Sequence, residues 1–151
     1  MKRFFGSLLL RLIRGGVVLR KGEHQIVAAM VAELPDHLRN SIESQFNEYN
    51  LVQREADERA LNFYKMGLFS ARPLQTKTIL DGSSNDAPLI RVSVSIPGQA
   101  DPLHATLNAV AGRAYSASFS RPVPTSSDER EPKITKVTHA WRANFPALGD
   151  A

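Results

Sequence analysis

The sequence predicts an α+β fold: N-terminal amphipathic helices packed on one face of a five- or six-stranded, mostly antiparallel meander sheet. Two observations carry this. Apolar residues recur with a helical period up to Asn50 and with a period of two beyond it. Each expected strand has one apolar and one polar face, the pattern of an antiparallel sheet with one side on a core. With 151 residues, 42% of them apolar, the chain is long enough for one unstapled core.

The first expected helix spans 3–14. Phe5, Leu8, Leu9, Leu12 and Ile13 share one face with Phe4 at its edge, and Arg3, Ser7, Arg11 and Arg14 lie opposite. Gly15-Gly16 ends it. A second helix is expected over 23–34, with Ile26, Val27, Met30, Val31 and Leu34 as its stripe and Pro35 as its stop. The third runs to about Tyr49 on the face Leu38, Ile42, Phe46 and Tyr49, with Asn50 as its C-cap.

Strands follow. Leu51–Arg54 and Arg59–Met66 flank a Glu-Ala-Asp-Glu turn, and Leu74–Leu80 reads as a further strand before the polar loop 81–86. Ile90, Val92, Val94 and Ile96 face the core, while Arg91, Ser93 and Ser95 face outward. A tight hairpin across Gly112-Arg113 joins two alternating segments: Ala105, Leu107, Ala109 and Ala111 point inward on the first, and Tyr115, Ala117 and Phe119 on the second. Residues 121–133 read as a long mobile loop, Ile134–Phe145 as the last strand and 146–151 as a tail. The expected organisation is a basic segment 1–22, one domain 23–145 and that tail.

The net charge of +4 is unevenly spread. Lys2, Arg3, Arg11, Arg14, Arg20 and Lys21 sit in residues 1–22 without an acid, and the other 129 residues hold 13 Lys/Arg against 15 Asp/Glu. Membrane or phosphate affinity is therefore expected to reside in 1–22, and nucleic acid is not an expected partner of the slightly acidic body. The start resembles a signal peptide, but Arg11 and Arg14 interrupt its apolar run and no small-x-small cleavage pattern follows closely. No run is long enough to span a bilayer. With no cysteine, disulfides, thiol catalysis and thiolate metal sites are excluded.

No catalytic or metal motif emerges. His24, His37, His104 and His139 lack zinc-ligand spacing, and there is no Gly-x-Ser-x-Gly elbow, phosphate loop or dinucleotide fingerprint. His37 and His104 read as surface residues; His139 shares strand parity with Val137 and Trp141 and is expected toward the core. Glu55, Asp57 and Glu58 read as a solvated turn. No cofactor is expected.

Two surfaces are left. A polar sheet face carries Arg91, Ser93, Ser95, Thr106, Asn108, Ser116, Ser118 and Ser120, with Arg91, Ser93, Asn108 and Ser118 as candidate binding residues. The helix 3–14 offers Arg3, Phe5, Leu8, Arg11, Leu12 and Arg14 to an anionic membrane surface, its own domain or a second copy. The expected function is non-enzymatic binding of another protein through the sheet or the 121–133 loop. Peripheral membrane association is the first alternative, and a small hydrolase or lyase using His104 or His139 the second. A cytoplasmic location, at the membrane periphery in the first alternative, fits these readings.

Overall fold

A computed structural model describes residues 16–67, 70–75, 86–125 and 131–144. The expected helix 3–14 and most of the expected strand Leu74–Leu80 lie outside these residues. Two helices, α1 (Lys21–Ala32) and α2 (Asp36–Glu48), precede six strands: β1 (Leu51–Arg54), β2 (Ala60–Tyr64), β3 (Ala87–Ser95), β4 (Leu103–Val110), β5 (Arg113–Phe119) and β6 (Lys133–Thr138). A helical turn, α3 (Trp141–Asn144), follows. The fold is α+β, with a six-stranded antiparallel sheet in the order β1-β2-β5-β4-β3-β6. Strands β3, β4 and β5 form a meander. The β1–β2 hairpin joins it at β5 and β6 joins it at β3.

The helices form where the 3.6-residue stripe is continuous. Ile26, Val27, Met30 and Val31 of α1, with Leu38, Ile42 and Phe46 of α2, are buried. They meet the inward residues of the sheet, Val52, Leu61, Phe63, Ile90, Val92, Val94, Leu103, Ala105, Leu107, Ala117 and Phe119, in one core. Phe46 stands edge-on to Phe63 with centroids 5.0 Å apart and to Tyr49 at 5.9 Å. Such pairs add roughly 0.5–1.5 kcal/mol each beyond the area they bury. The first helix packs on β4 and the second on β5, strands that contribute the buried alanines Ala105, Ala109, Ala114 and Ala117 to this core.

Several expected boundaries are corrected. Tyr49, not Asn50, is the C-cap of α2. Asn50 instead ties its side chain to the backbone of Met66, donating to its carbonyl at 2.8 Å and accepting from its N–H at 2.8 Å. The last strand stops at Thr138: Ala140 N–H bonds Thr138 O, and the chain turns into α3. The alternation of Val137, His139 and Trp141 is therefore not that of one strand. Trp141 is buried but reaches the core from a helical turn. His139 is half-buried, its Nδ1 enclosed without a hydrogen-bond partner among the described residues.

The hairpin turn is Ala111-Gly112, one residue earlier than expected, with φ of 47° and 72°. Two successive positive φ angles define the turn that matches strand twist, and glycine adopts one without penalty. Ala109 pairs with Ala114, but Asn108 pairs with Ser116, so Tyr115 is an extra residue in β5. This bulge removes Tyr115 from the core parity: the inward residues are Ala114, Ala117 and Phe119. Tyr115 instead donates its hydroxyl to Asp86 Oδ2 at 2.6 Å.

The start of the 121–133 segment is anchored. Arg121 donates to Gln99 Oε1 at 2.6 Å and to Asp101 O at 2.7 Å, and Val123 is buried beside Gly22, where an added Cβ would lie 3.1 Å from Val123 Cγ1. Residues 126–130 lie outside the described residues.

Candidate functional site

Period-two alternation sends Arg91 and Ser93 of β3, His104, Thr106 and Asn108 of β4, and Ser116 and Ser118 of β5 to the face away from the helices. The register aligns them into rows. Arg91 lies between Thr138 of β6 and Thr106 of β4, and Thr106 pairs with Ser118. Ser93 lies between Lys136 and His104. Cations distant in the sequence thus share one place, although the body has no basic run.

Arg91, Ser93, His104, Thr106, Lys136 and Thr138 rim an open hollow of about 270 Å³. No acidic residue is among its described lining residues. Among the described residues, neither Arg91 nor Lys136 has an ion-pair partner. The described salt bridges lie elsewhere, so these two positive charges stand over hydroxyl groups with no counter-charge among the described residues. Ser93 Oγ and His104 Nδ1 are 3.0 Å apart, and the His104 N–H donates to Ser120 Oγ at 3.0 Å, which holds the end of β4 against the segment after β5.

The four sheet-face residues expected to bind divide into two groups. Arg91 and Ser93 belong to the hollow. Asn108 and Ser118 belong to a neighbouring network in which Asn108 Nδ2 donates to Ser116 Oγ at 3.2 Å and to Ser118 Oγ at 3.4 Å. Lys136 and Thr138 are not legible from the sequence, which does not place β6 beside β3, and His104 reads there as a surface histidine with no identifiable partner. Arg3, Phe5, Leu8, Arg11, Leu12 and Arg14 lie outside the described residues.

The Ser93–His104 distance is that of a nucleophile and base. The rest of a hydrolytic site is missing among the described residues. No carboxylate of the rim orients the imidazole. Strands β3 and β4 are both interior to the sheet, so their backbone N–H groups are used by the ladders instead of facing a developing oxyanion. What the arrangement can do is attract and orient an anion.

A second hollow of about 380 Å³ lies near the β1–β2 edge, with Tyr49, Phe63, Leu74 and Tyr115 among its walls. Tyr49 donates its hydroxyl to Ala114 O, and burial pushes its pKa up to about 12. This tyrosine serves the core.

The residues leading into α1 are joined to the sheet. Val17 N–H bonds Val52 O at 2.8 Å, Arg20 pairs with Glu58 at 2.6 Å, and Glu23 pairs with Arg54 at 2.7 Å. The Arg20 hydrogen bonds hold the Glu58 carboxyl below its ordinary range. Of the acidic trio in the β1–β2 turn, Glu58 is thus an ion-pair partner, and Asp57 Oδ1 accepts the Arg59 N–H at 3.0 Å. None of the described helices is long and apolar enough to cross a membrane.

Comparison with known proteins brings no relative: no family model, no curated protein and no solved structure matches the chain significantly.

Proposed function

We propose that this is a non-enzymatic binding domain whose open sheet face receives an acidic segment of a partner protein. The observation that carries it is the hollow around Arg91 and Lys136, where two cations without a described counter-ion meet hydroxyl groups and no acid among the described residues. Complementary charge across an interface steers encounter and fixes register. Strands hold these residues at fixed spacing, so little backbone entropy is lost on binding.

The face serves this role better than the outer edge. Strand β6 carries Lys133 and Lys136, and its register slips at Thr135, whose hydroxyl turns back to Ser93 O at 3.2 Å. Edge lysines and a bulge are devices that discourage addition of another strand.

Selection of random peptides on the immobilised full chain tests the reading. Asp- and Glu-rich sequences are expected, and the charge reversal Arg91→Glu with Lys136→Glu is expected to abolish that enrichment. Equal enrichment on the reversed variant would overturn the proposal.

A second reading rests on Lys2, Arg3, Arg11 and Arg14, which have no acid among residues 1–15. It is attachment of the N-terminal segment to an anionic bilayer. Flotation with phosphatidylserine vesicles at low salt is expected to carry the protein, and Arg11→Glu with Arg14→Glu to release it; no difference between the two sinks this reading.

A further inference from the structure

We infer that the anion taken by the hollow is a phosphorylated serine or threonine side chain in an extended segment of the partner, an inference that rests on the protein-binding reading above. The donors around the hollow exceed what a carboxylate can use. A guanidinium offers up to five N–H groups, an ammonium three and each hydroxyl one. The hollow gathers Arg91, Lys136 and the hydroxyls of Ser93, Thr106 and Thr138. A planar carboxylate presents two oxygens and one negative charge. A phosphoryl ester presents three acceptor oxygens in tetrahedral array and a charge of about −1.5 to −2 at neutral pH. Two cations without a described counter-ion match that charge; one carboxylate would leave half of it unanswered.

The placement also suits a tetrahedral group. Arg91 and Ser93 rise from β3, Lys136 and Thr138 from one side of it, and His104 and Thr106 from the other. An anion above β3 is thus approached from three directions, by a bidentate guanidinium, a point charge and short hydroxyls. When His104 Nδ1 carries the proton it donates to Ser93 Oγ across their 3.0 Å contact, and the Ser93 O–H is then free to donate to the phosphoryl oxygen.

A protein segment fits this surface better than a lipid headgroup. Membrane attachment adds apolar insertion to charge attraction. Among the described residues the exposed large apolar side chains are Val18 and Tyr64, and neither lines the hollow. The neighbouring Asn108 and Ser118, half-buried and bonded to each other, continue this polar surface along the sheet face, where an extended segment would lie.

The test is a two-dimensional amide NMR titration of the full chain with the peptide Ala-Ala-Gly-phosphoserine-Gly-Ala-Ala. The same peptide with serine or glutamate, inorganic phosphate and vesicles containing phosphatidic acid are titrated in parallel. The expected result is shifts centred on Arg91, Ser93, His104, Thr106, Lys136 and Thr138. The phosphopeptide should bind at least tenfold more tightly than the glutamate peptide and more tightly than free phosphate. Arg91→Gln with Lys136→Gln should weaken it at least tenfold while the dispersed spectrum shows that the variant is folded. Equal binding of the phosphoserine and glutamate peptides overturns this inference and leaves the acidic-segment reading standing. So does a preference for vesicles or free phosphate over the phosphopeptide. Phosphopeptide shifts elsewhere, or none at millimolar peptide, also overturn it. Failure of peptide selection together with silence of every acidic probe here overturns the underlying reading as well.

Discussion

Replacing Arg54 with methionine should destabilise the domain more than any ordinary surface change, because it strands a buried carboxylate. The Glu23 side chain is 1% exposed and that of Arg54 12%. Arg54 Nε donates to Glu23 Oε1 at 2.9 Å and Nη2 to Oε2 at 2.7 Å, a two-point pairing. Once Arg54 is gone, the Arg20 N–H at 2.8 Å remains as a described donor to Glu23. Removing one partner of a buried pair costs about 3–5 kcal/mol, whereas replacing both with apolar residues is often neutral. The slight exposure of Arg54 lets water reach the vacated site, which places the cost near the lower figure, about 3 kcal/mol. For a domain of this size that is a fall in Tm of roughly 6–12 °C. Urea unfolding followed by far-ultraviolet circular dichroism measures the change, with the slope m unchanged. The double variant Glu23→Leu with Arg54→Met should recover most of the loss. A loss below about 1 kcal/mol for Arg54→Met, or a double variant no more stable than the single one, would refute the account of an orphaned buried charge.

Two further outcomes follow from the β4–β5 region. Tyr49 has its pKa raised from 10.0 to about 12 by burial, so the neutral phenol is favoured in the folded state. Its contribution to stability is whole below pH 10.0 and is lost as pH rises through about 12. Tyr49→Phe should flatten the decline in urea midpoint over that window and cost about 1–2 kcal/mol at neutral pH by leaving Ala114 O without its donor. An alkaline slope identical in the variant would assign the decline to other groups, among them Tyr115, whose pKa is raised chiefly by its hydrogen bond to Asp86. At the hairpin, Ala111→Gly relieves a φ of 47° and should raise stability by about 0.5–1 kcal/mol in thermal or urea unfolding; a loss would mean that the turn is not strained.

The helices and the central strands were readable because their burial is one-sided. Ile26 to Val31 and Ile90 to Val94 carry the period of their element in the sequence itself. Departures from period were not readable. Tyr115 looks inward by simple alternation, but the extra residue in β5 shifts the face. Trp141 keeps strand parity with Val137, yet local bonds after Thr138 turn the chain into a helix. Long-range partners were equally hidden. Glu23 looks like an ordinary first-turn acid until Arg54, 31 residues on, closes over it. Gln45 looks like a surface glutamine until it is found buried, accepting the Ala114 N–H at 2.9 Å. Half of the candidate site was legible in the same way: Arg91 and Ser93 follow from the outward parity of β3, but Lys136 and His104 join them only through strand order and register.

The bond from Val17 to Val52 places the entry of the described chain beside β1, at the opposite margin of the sheet from β6. Four to five strand spacings of 4.8 Å separate that margin from the hollow over β3, a span of roughly 20 Å. Tension applied through the chain ahead of Val17 would therefore enter at this margin and load the Val17 bond and the Arg20–Glu58 pair before it reached the core.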